Sequence, residues 1–339
     1  MMANPILAIN FRGRRIENIH RGAFCVVNCH GDIEYSSGDI GKAVFPRSSI
    51  KAMQALALFK SGAVEKFSLD DSDIAIACSS HGGDKQHVEA VQVILDKIGC
   101  LVDDLECGEQ VPTDRAARNE FFALKKPSSA IFNNCSGKHA GMLAVAKVLG
   151  VEAKGYSKAS HAVQKLVKTC IEEVIGQKLS DKKCGIDGCS IPTYAAPLTA
   201  FALGFARMAS GVDLSVETEL ESKVIFDAVV NNPYLIRGEN TLDSDLMAAF
   251  AGRLMLKIGA DGVFCGALLD KKIGFALKID DGDIKAAEVA IANIILAIAE
   301  PSEKEKQVLL RYVSPELRNW SKIKTGELVA SDELKAAFS

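Results

Sequence analysis

The sequence predicts an α+β fold, in which one antiparallel sheet is assembled from segments at both ends of the chain with a helical region inserted between them. Three observations support this. Residues 23–35 have the pattern of a strand pair with a turn at His30-Gly31-Asp32, residues 253–279 have that of an antiparallel meander, and the chain between them is mostly helical. Strands grouped at the two ends do not fit an alternating βαβ fold, so we expect α/β/α layers around an antiparallel sheet.

The remaining elements follow from apolar periodicity and from helix start and stop signals. A helix is expected over residues 49–61, and residues 73–78 are interpreted as a buried strand that leads into the loop 79–83. The other predicted helices cover residues 85–98, a stretch to Lys125 that is capped by Thr113 or Asp114, and residues 137–149, 161–175, 197–209, 216–230 and 283–299. The strands of the meander are expected at residues 253–257, 262–269 and 272–279, with turns at Gly259-Ala260-Asp261 and Asp270-Lys271.

No repeat, low-complexity tract or proline-rich linker divides the sequence. We therefore expect a single catalytic domain over residues 1–339, with the inserted helical subregion at about 84–250.

Composition narrows the class of protein. Hydrophobic residues make up 48% and charged residues 24% of the 339 residues, with a net charge of −3 and no basic stripe. These values are typical of a globular protein, and they argue against nucleic acid or an anionic membrane as a partner. No run reaches the length of a membrane span, and the N-terminal charge order is the reverse of a signal peptide's. We expect a cytoplasmic protein with reduced cysteines and a small neutral or zwitterionic substrate.

Ser48-Ser49-Ile50-Lys51 is the most informative stretch, because Ser-x-x-Lys places a hydroxyl and an amine one helical turn apart. Such a pair can act as nucleophile and base in acyl transfer, since a lysine shielded from water can have a lowered pKa. The alternative is a serine helix cap followed by a solvated lysine. The apolar residues of the following helix favour the first interpretation, because they predict a largely buried helix.

Residues 133–139 (Asn-Asn-Cys-Ser-Gly-Lys-His) place a thiol, an amine and an imidazole at the start of an apolar helix, and Asp187-Gly188-Cys189 supplies a carboxylate and a second thiol. Two thiolates, one nitrogen ligand and an open fourth position describe a catalytic type of zinc site. Ligand statistics favour His139 as the nitrogen ligand. Lys138 is the alternative, and its amine would have to be neutral to bind a metal ion.

Three further stretches complete the candidates. Ser79 and Ser80 follow the predicted buried strand, and Lys257 ends a predicted strand beside a turn, where its amine could reach a cleft. His81-Gly82-Gly83 is interpreted as a glycine-rich turn rather than an esterase oxyanion loop, since Gly-x-Ser-x-Gly is absent. Lys324-Thr325-Gly326 is interpreted as a chance match to the Lys-Thr-Gly of penicillin-recognising enzymes, because no closing helix is expected after it.

The motifs occur in the order Pro-Arg-Ser-Ser-Ile-Lys (46–51), Ser-Ser-His-Gly-Gly (79–83), Asn-Cys-Ser-Gly-Lys-His (134–139) and Asp-Gly-Cys (187–189). In this order the sequence resembles the asparaginase II family of Rhizobium etli type L-asparaginases over nearly its whole length. The resemblance implies a fold akin to serine β-lactamases and glutaminases, a homodimer, and hydrolysis of L-asparagine to L-aspartate and ammonia.

The resemblance also implies roles for particular residues. Ser48 with Lys51 and Ser80 with Lys257 would form two Ser-Lys tandems. Cys135, Lys138 and Cys189 would hold Zn²⁺, so the resemblance selects Lys138 over His139 as the nitrogen ligand. The zinc ion is expected to order the substrate pocket rather than to supply the nucleophile, with Asp187, His139 and Arg47 binding the substrate.

Two other functions stay open at this point. The protein could be a serine hydrolase that acts on glutamine, a β-lactam or an ester. It could also be a non-catalytic binding protein in which Cys135 and Cys189 form a structural zinc clip.

Overall fold

The computed structural model describes residues 3–338. They form two compact units. The sheet unit comprises residues 3–49, Ala196–Val212 and 245–338, and the helical unit comprises Ile50–Ala195 and Asp213–Ser244. The predicted helical subregion, residues 84–250, overlaps the helical unit but has other bounds. A single catalytic domain stays a prediction.

The strands in chain order are β1 (Ile6–Arg12), β2 (Arg15–Asn28), β3 (Ile33–Ser37), β4 (Ala43–Val44), β5 (Cys184–Ile186), β6 (Pro192–Tyr194), β7 (Ala196–Pro197), β8 (Leu254–Gly259), β9 (Val263–Leu268), β10 (Ile273–Ile279), β11 (Glu316–Arg318) and β12 (Lys324–Ala330). The helices are α1 (Lys51–Lys60), α2 (Ala63–Lys66), α3 (Asp71–Ala77), α4 (Lys85–Ile98), α5 (Arg115–Ala123), α6 (Ser136–Leu149), α7 (Ala162–Ile175), α8 (Leu198–Ser210), α9 (Val216–Asn231), α10 (Pro233–Arg237), α11 (Leu242–Phe250), α12 (Ile284–Ile298), α13 (Glu303–Val313) and α14 (Asp332–Ala336).

The main sheet of the sheet unit has the strand order β11-β12-β1-β2-β10-β9-β8, and β3 also pairs with β2. Every pairing is antiparallel. The N-terminal strands β1 and β2 therefore lie between two groups of C-terminal strands. Helix α8 packs on β2, β9 and β10, and α12 packs on β1, β9, β10 and β12. Strands β8 and β9 are buried along their whole length, as expected when both faces of a sheet are covered. The predicted α+β fold class is confirmed.

The helical unit is built around apolar helices. Helix α1 packs against α6, α7 and α9, and α3 packs against α4, α6 and α9. Eight of the ten residues of α1 are buried, including Lys51 and Gln54. Burial on all sides explains why α1 and α3 lack a polar face, and it brings the first residue of α1 into the interior. No helix within residues 3–338 has both the length and the apolar character needed to cross a membrane.

The expected strand at residues 73–78 is wrong, because these residues belong to helix α3. The Asp70 side chain accepts hydrogen bonds from the backbone N–H groups of Ser72 and Asp73, and the Asp73 carboxylate accepts one from the Asp70 N–H. This reciprocal capping starts a helix, whereas a short apolar run by itself does not distinguish a buried helix from a buried strand.

The expectation that no closing helix follows residues 324–326 is also wrong. These residues begin strand β12, which pairs with β1, and helix α14 follows. The Lys324 ammonium is half-exposed and pairs with Glu316 and Glu327. It lies on the sheet surface in an ordinary ion-pair cluster.

Candidate active site

Lys51 is the first residue of α1, and it is 1% exposed. Its Nζ lies 3.2 Å from Ser80 Oγ and 3.2 Å from Cys135 Sγ, and it also donates a hydrogen bond to the Ser79 carbonyl oxygen. A buried lysine amine in contact with a hydroxyl and a thiol is chemically unusual, since lysine is almost never fully buried unless it is paired. The solvated lysine of the alternative interpretation is therefore wrong.

The hydroxyl near Lys51 is that of Ser80, which lies just after the end of α3. The helix ends at Ala77, with Cys78 as its C-cap. The Ser79 Oγ donates a hydrogen bond to the Ile76 carbonyl at 2.7 Å, and the Ser80 N–H donates one to the Ile236 carbonyl at 2.8 Å. The backbone that leads into Ser80 is thus fixed. Fixed backbone geometry is what a proton-transfer partner requires.

His81 connects the segment 79–83 to the segment 134–139 by a hydrogen bond to Ser136. Its Nδ1 accepts the Gly83 N–H at 3.2 Å, so the neutral ring carries its proton on Nε2 and donates to Ser136 Oγ at 2.8 Å. Ser136 Oγ in turn donates to the Ile131 carbonyl at 2.9 Å. Burial, helped by the charges of His87 and Lys51, lowers the pKa of His81 well below its usual value and keeps the ring neutral.

Cys135, Lys138 and Cys189 converge, and each is 4% exposed. Lys138 Nζ lies 2.9 Å from Cys189 Sγ, and the two thiols are hydrogen-bonded to each other. The hydrogen bond from Cys189, together with the Lys138 and Lys51 ammonium groups, lowers the pKa of Cys135 well below that of an ordinary thiol, even though burial raises it. The contact between the two thiols and the adjacent Lys138 amine both favour the thiolate form of Cys135.

The donors of this cluster fit a zinc ion. Two sulfur atoms and one amine nitrogen meet in a buried place, which matches three protein ligands with a fourth position left for another group. Within residues 3–338, no group of three or more His, Cys, Asp or Glu side chains is arranged to hold a metal ion. The set Cys135, Lys138 and Cys189 is not a group of this kind, because its third member is a lysine. Metal binding would require Lys138 to release its proton.

His139 lies beside this cluster and is fully buried. Its Nδ1 is 2.6 Å from the Tyr156 hydroxyl. Burial, then the charges of Lys138 and Lys51, lower the pKa of His139 well below its usual value. The ring is therefore neutral.

Asp187 and Cys189 lie in the turn between β5 and β6. The Asp187 carbonyl accepts the Ser190 N–H at 2.9 Å, and Ser190 has a left-handed backbone with φ of 75°. This is a strained conformation for a residue other than glycine. The hydrogen bond between Ser190 and Asp187 closes the turn that carries the thiol.

The other candidates belong to the sheet unit. Ser48 is half-buried in the 3₁₀ turn Arg47–Ile50, which precedes α1. Arg47 has φ of 53°, and its guanidinium forms an ion pair with Asp261. A left-handed residue directly before the predicted nucleophile is the kind of backbone strain that is common at functional sites. Lys257 of β8 is fully buried, and its Nζ donates to the Ile258 carbonyl at 3.1 Å.

Comparison with known proteins assigns the family. The model of the L-asparaginase II family matches residues 8–330. The chain belongs to the L-asparaginase II family. Membership in the L-asparaginase II family supports an amidohydrolase-like function for the protein. None of the curated proteins that were compared with the chain matches it.

Two solved structures are similar to this L-asparaginase II family member. One is a β-lactamase from Mycobacterium bovis, with 12% identity and a TM-score of 0.42, over 81% of this chain and 94% of that one. The other is Mglu in its native form in the presence of 4.3 M NaCl, with 12% identity and a TM-score of 0.38, over 83% of this chain and 61% of that one. The assignment to the L-asparaginase II family rests on the match of residues 8–330 to the family model, and not on these two structures.

The L-asparaginase II family member thus brings several predicted residues together within its helical unit. Lys51 contacts Ser80 and Cys135, while Lys138 contacts Cys189. The two predicted tandems each take one residue from each unit, and they stay predictions.

Sequence reasoning did not find the contact between Lys51 and Ser80, nor that between Tyr156 and His139. Tyr156 is an isolated aromatic residue in a polar loop. The sequence around Tyr156 contains no pattern that indicates a functional site.

Gly137 allows helices α3 and α6 of the L-asparaginase II family member to approach closely. A Cβ at this position would lie 2.2 Å from the Ile76 carbonyl oxygen. We expect Gly137→Ala to lower the free energy of unfolding by about 1–3 kcal/mol, because the two helices must separate. Urea denaturation measures this change.

Gly141→Ala is the matched control on the same helix. A Cβ there would be 3.4 Å from Leu58 Cδ2, which is ordinary contact. We expect no loss of stability, and a gain of up to about 1 kcal/mol from helix propensity. Equal stability of the two variants would contradict the close approach at Gly137.

Proposed function

We propose that the protein is an L-asparaginase, which hydrolyses L-asparagine to L-aspartate and ammonia. The observation that carries this proposal is the family match over residues 8–330. The geometry of the helical unit supports it, because Lys51 presents a buried amine to a serine hydroxyl. Hydrolysis of a side-chain amide needs a nucleophile, a base and a route for a proton to the departing nitrogen.

In the proposed reaction, the Ser48 hydroxyl attacks the side-chain amide carbon of asparagine, and Lys51 in its uncharged form takes the hydroxyl proton. The tetrahedral intermediate collapses when the amide nitrogen receives a proton and leaves as ammonia. An aspartyl ester on Ser48 remains, and water cleaves it to release L-aspartate and restore the hydroxyl.

Ser80 is proposed to carry the proton between Lys51 and the departing nitrogen. Its Oγ is 3.2 Å from Lys51 Nζ, which is within reach of one proton transfer. Lys257 is proposed as the second partner of Ser80. The same pair would then assist the water that cleaves the ester.

Cys135, Lys138 and Cys189 are proposed to hold Zn²⁺. When bound, the ion would supply a fixed positive charge that orders the substrate pocket. Around it, Asp187 is proposed to accept hydrogen bonds from the substrate ammonium group, and His139 to contact the other end of the amino acid. Arg47 is a further candidate for the substrate carboxylate, in exchange for its ion pair with Asp261.

Removal of one thiol tests the zinc proposal. Cys189→Ser is expected to weaken zinc binding by at least about 100-fold, since even the groups that only support metal ligands contribute 10–100-fold to affinity. Competition with a chromogenic chelator measures the affinity. Cys184→Ser, in strand β5 of the same hairpin, is the control and should keep the wild-type affinity. Loss of zinc from both variants, or from neither, would contradict this ligand set.

A substrate panel tests the function itself. Ammonia release is measured on L-asparagine and L-glutamine, and colour release on a chromogenic ester and a chromogenic β-lactam. The proposal predicts the highest kcat/KM on L-asparagine. A higher value on another member of the panel would favour a different hydrolase, and no turnover of any member together with asparagine binding would favour a binding protein.

A further inference from the structure

Helix α10 provides the hydrogen-bond acceptor for the backbone of Ser80. The Ser80 N–H donates to the Ile236 carbonyl oxygen at 2.8 Å, and Ile236 is fully buried. The position of the Ser80 hydroxyl, 3.2 Å from Lys51 Nζ, therefore depends on where α10 lies. Because α10 has only five residues, it needs contacts with other elements to be stable. The groups that hold α10 thus contribute to the geometry at Ser80.

The side chain of Tyr234 connects α10 to the start of α4. Its hydroxyl donates to Asp84 Oδ2 at 2.8 Å. Asp84 is the N-cap of α4, where its Oδ1 accepts the His87 N–H at 3.1 Å. Burial raises the pKa of Asp84, but its hydrogen bonds with His87 and Tyr234 lower it overall, so the group is an ionised carboxylate. A hydrogen bond to a charged acceptor is stronger than one between neutral groups.

Stacked rings add to this connection. The Tyr234 ring lies nearly parallel to the His87 ring, with 5.2 Å between the centroids and 9° between the planes. His87 stacks in turn on His81, with the centroids also 5.2 Å apart. His87 is fully buried, and its Nε2 lies 3.1 Å from the Tyr234 carbonyl oxygen. Tyr234 is therefore held through its ring, its backbone and its hydroxyl, and the hydroxyl can be removed without disturbing the ring.

We propose that Tyr234 is a positioning residue for the reaction. Its hydrogen bond to Asp84 fixes α10, and the Ile236 carbonyl of α10 fixes Ser80 at the distance from Lys51 that proton transfer requires. The kinetic part of this inference rests on the proposed function, while the structural coupling between Tyr234 and Ser80 does not. Tyr234 acts through Ser80 and is not itself a catalytic residue.

Tyr234→Phe removes the hydroxyl and keeps the ring that stacks on His87. The kcat for L-asparagine is expected to fall about tenfold, because a displacement of about 1 Å at a reacting group can cost about 100-fold in rate. The KM should stay within about twofold of the wild-type value, since Tyr234 is not among the proposed substrate contacts. Steady-state ammonia release measures both constants.

Tyr312→Phe is the matched control. The Tyr312 hydroxyl also donates to a carboxylate, that of Asp245 at 2.7 Å, but in the sheet unit. Its removal should leave kcat and KM unchanged. A similar fall of kcat in the two variants would overturn the positioning role, because the effect would then follow from the loss of any such hydrogen bond.

Hydrogen exchange of the Ser80 amide tests the structural coupling without any substrate. NMR of the wild type should show a slowly exchanging Ser80 N–H, because this group donates to the carbonyl of the buried Ile236. The exchange should be about tenfold faster in Tyr234→Phe and unchanged in Tyr312→Phe. A Ser80 amide that exchanges freely in the wild type would overturn the inference, whether or not the variant folds.

The remaining outcomes separate this inference from the proposed function. An unchanged Ser80 exchange rate or an unchanged kcat in Tyr234→Phe would overturn the positioning role. A wild-type protein that releases no ammonia from L-asparagine would overturn the proposed function and, with it, the kinetic part of the inference. The exchange rates would still decide whether Tyr234 positions Ser80.

Discussion

Replacing Ser48 by alanine is expected to lower the kcat for L-asparagine by at least about 10³-fold, with the KM changed only a few-fold. The reason is chemical: without the hydroxyl no aspartyl ester can form, and only the unassisted attack of water remains. Single-turnover and steady-state ammonia release measure the loss. Mass spectrometry of the acid-quenched wild type should also show the ester, which the variant cannot form.

Ser49→Ala is the matched control one residue along the chain. Ser49 is fully buried, and its hydroxyl donates to the Pro46 carbonyl at 2.7 Å and contacts Cys265 Sγ at 3.2 Å. Its loss should lower the free energy of unfolding by about 1 kcal/mol and leave kcat near the wild-type value. Full activity of Ser48→Ala, or an equal loss in both variants, would remove Ser48 from the reaction.

Lys51→Met is expected to reduce kcat by a similar factor of at least about 10³, because members of one nucleophile and base unit fail together. Lys51→Arg should be as inactive as Lys51→Met. A guanidinium keeps its charge in proteins and cannot take a proton from a serine. The comparison therefore distinguishes a base from a group that contributes only positive charge.

Lys85→Met is the control for the loss of a lysine, since Lys85 is exposed and forms a surface ion pair with Glu89 at 3.7 Å. It should leave kcat unchanged. Circular dichroism and thermal unfolding establish whether Lys51→Met is folded, because the buried Ser79 carbonyl loses its donor. If a folded Lys51→Arg protein turned over asparagine at the wild-type rate, Lys51 would not be the base.

Much of the fold could be predicted from local pattern. Helix α4 has the predicted bounds, and the meander β8 to β10 was found because its turns carry glycine and aspartate between apolar runs. Helix α3 was missed because its apolar run is too short to show a period, so the cap at Asp70 decides its structure. Strand β12 was missed because its partner β1 is more than 300 residues away in sequence.

The candidate site was predictable as a set of residue types but not as a set of contacts. The motif spacing indicated a thiol, an amine and an imidazole around residue 135, and the structure brings Cys189 to Lys138. No pattern in the sequence could place Lys51 beside Ser80, since that contact depends on how α1 packs against the end of α3. The hydrogen bonds of Tyr156 were not predicted, because they join one hydroxyl to groups that are distant in sequence.

The pairing of β12 with β1 has a consequence for synthesis on the ribosome. Strand β1 is synthesised more than 300 residues before β12, the strand that covers one of its edges. Until then the nascent chain exposes an open edge that could pair with another polypeptide. The emergence of β12, or a chaperone bound before it, therefore determines when this edge of β1 is protected from aggregation.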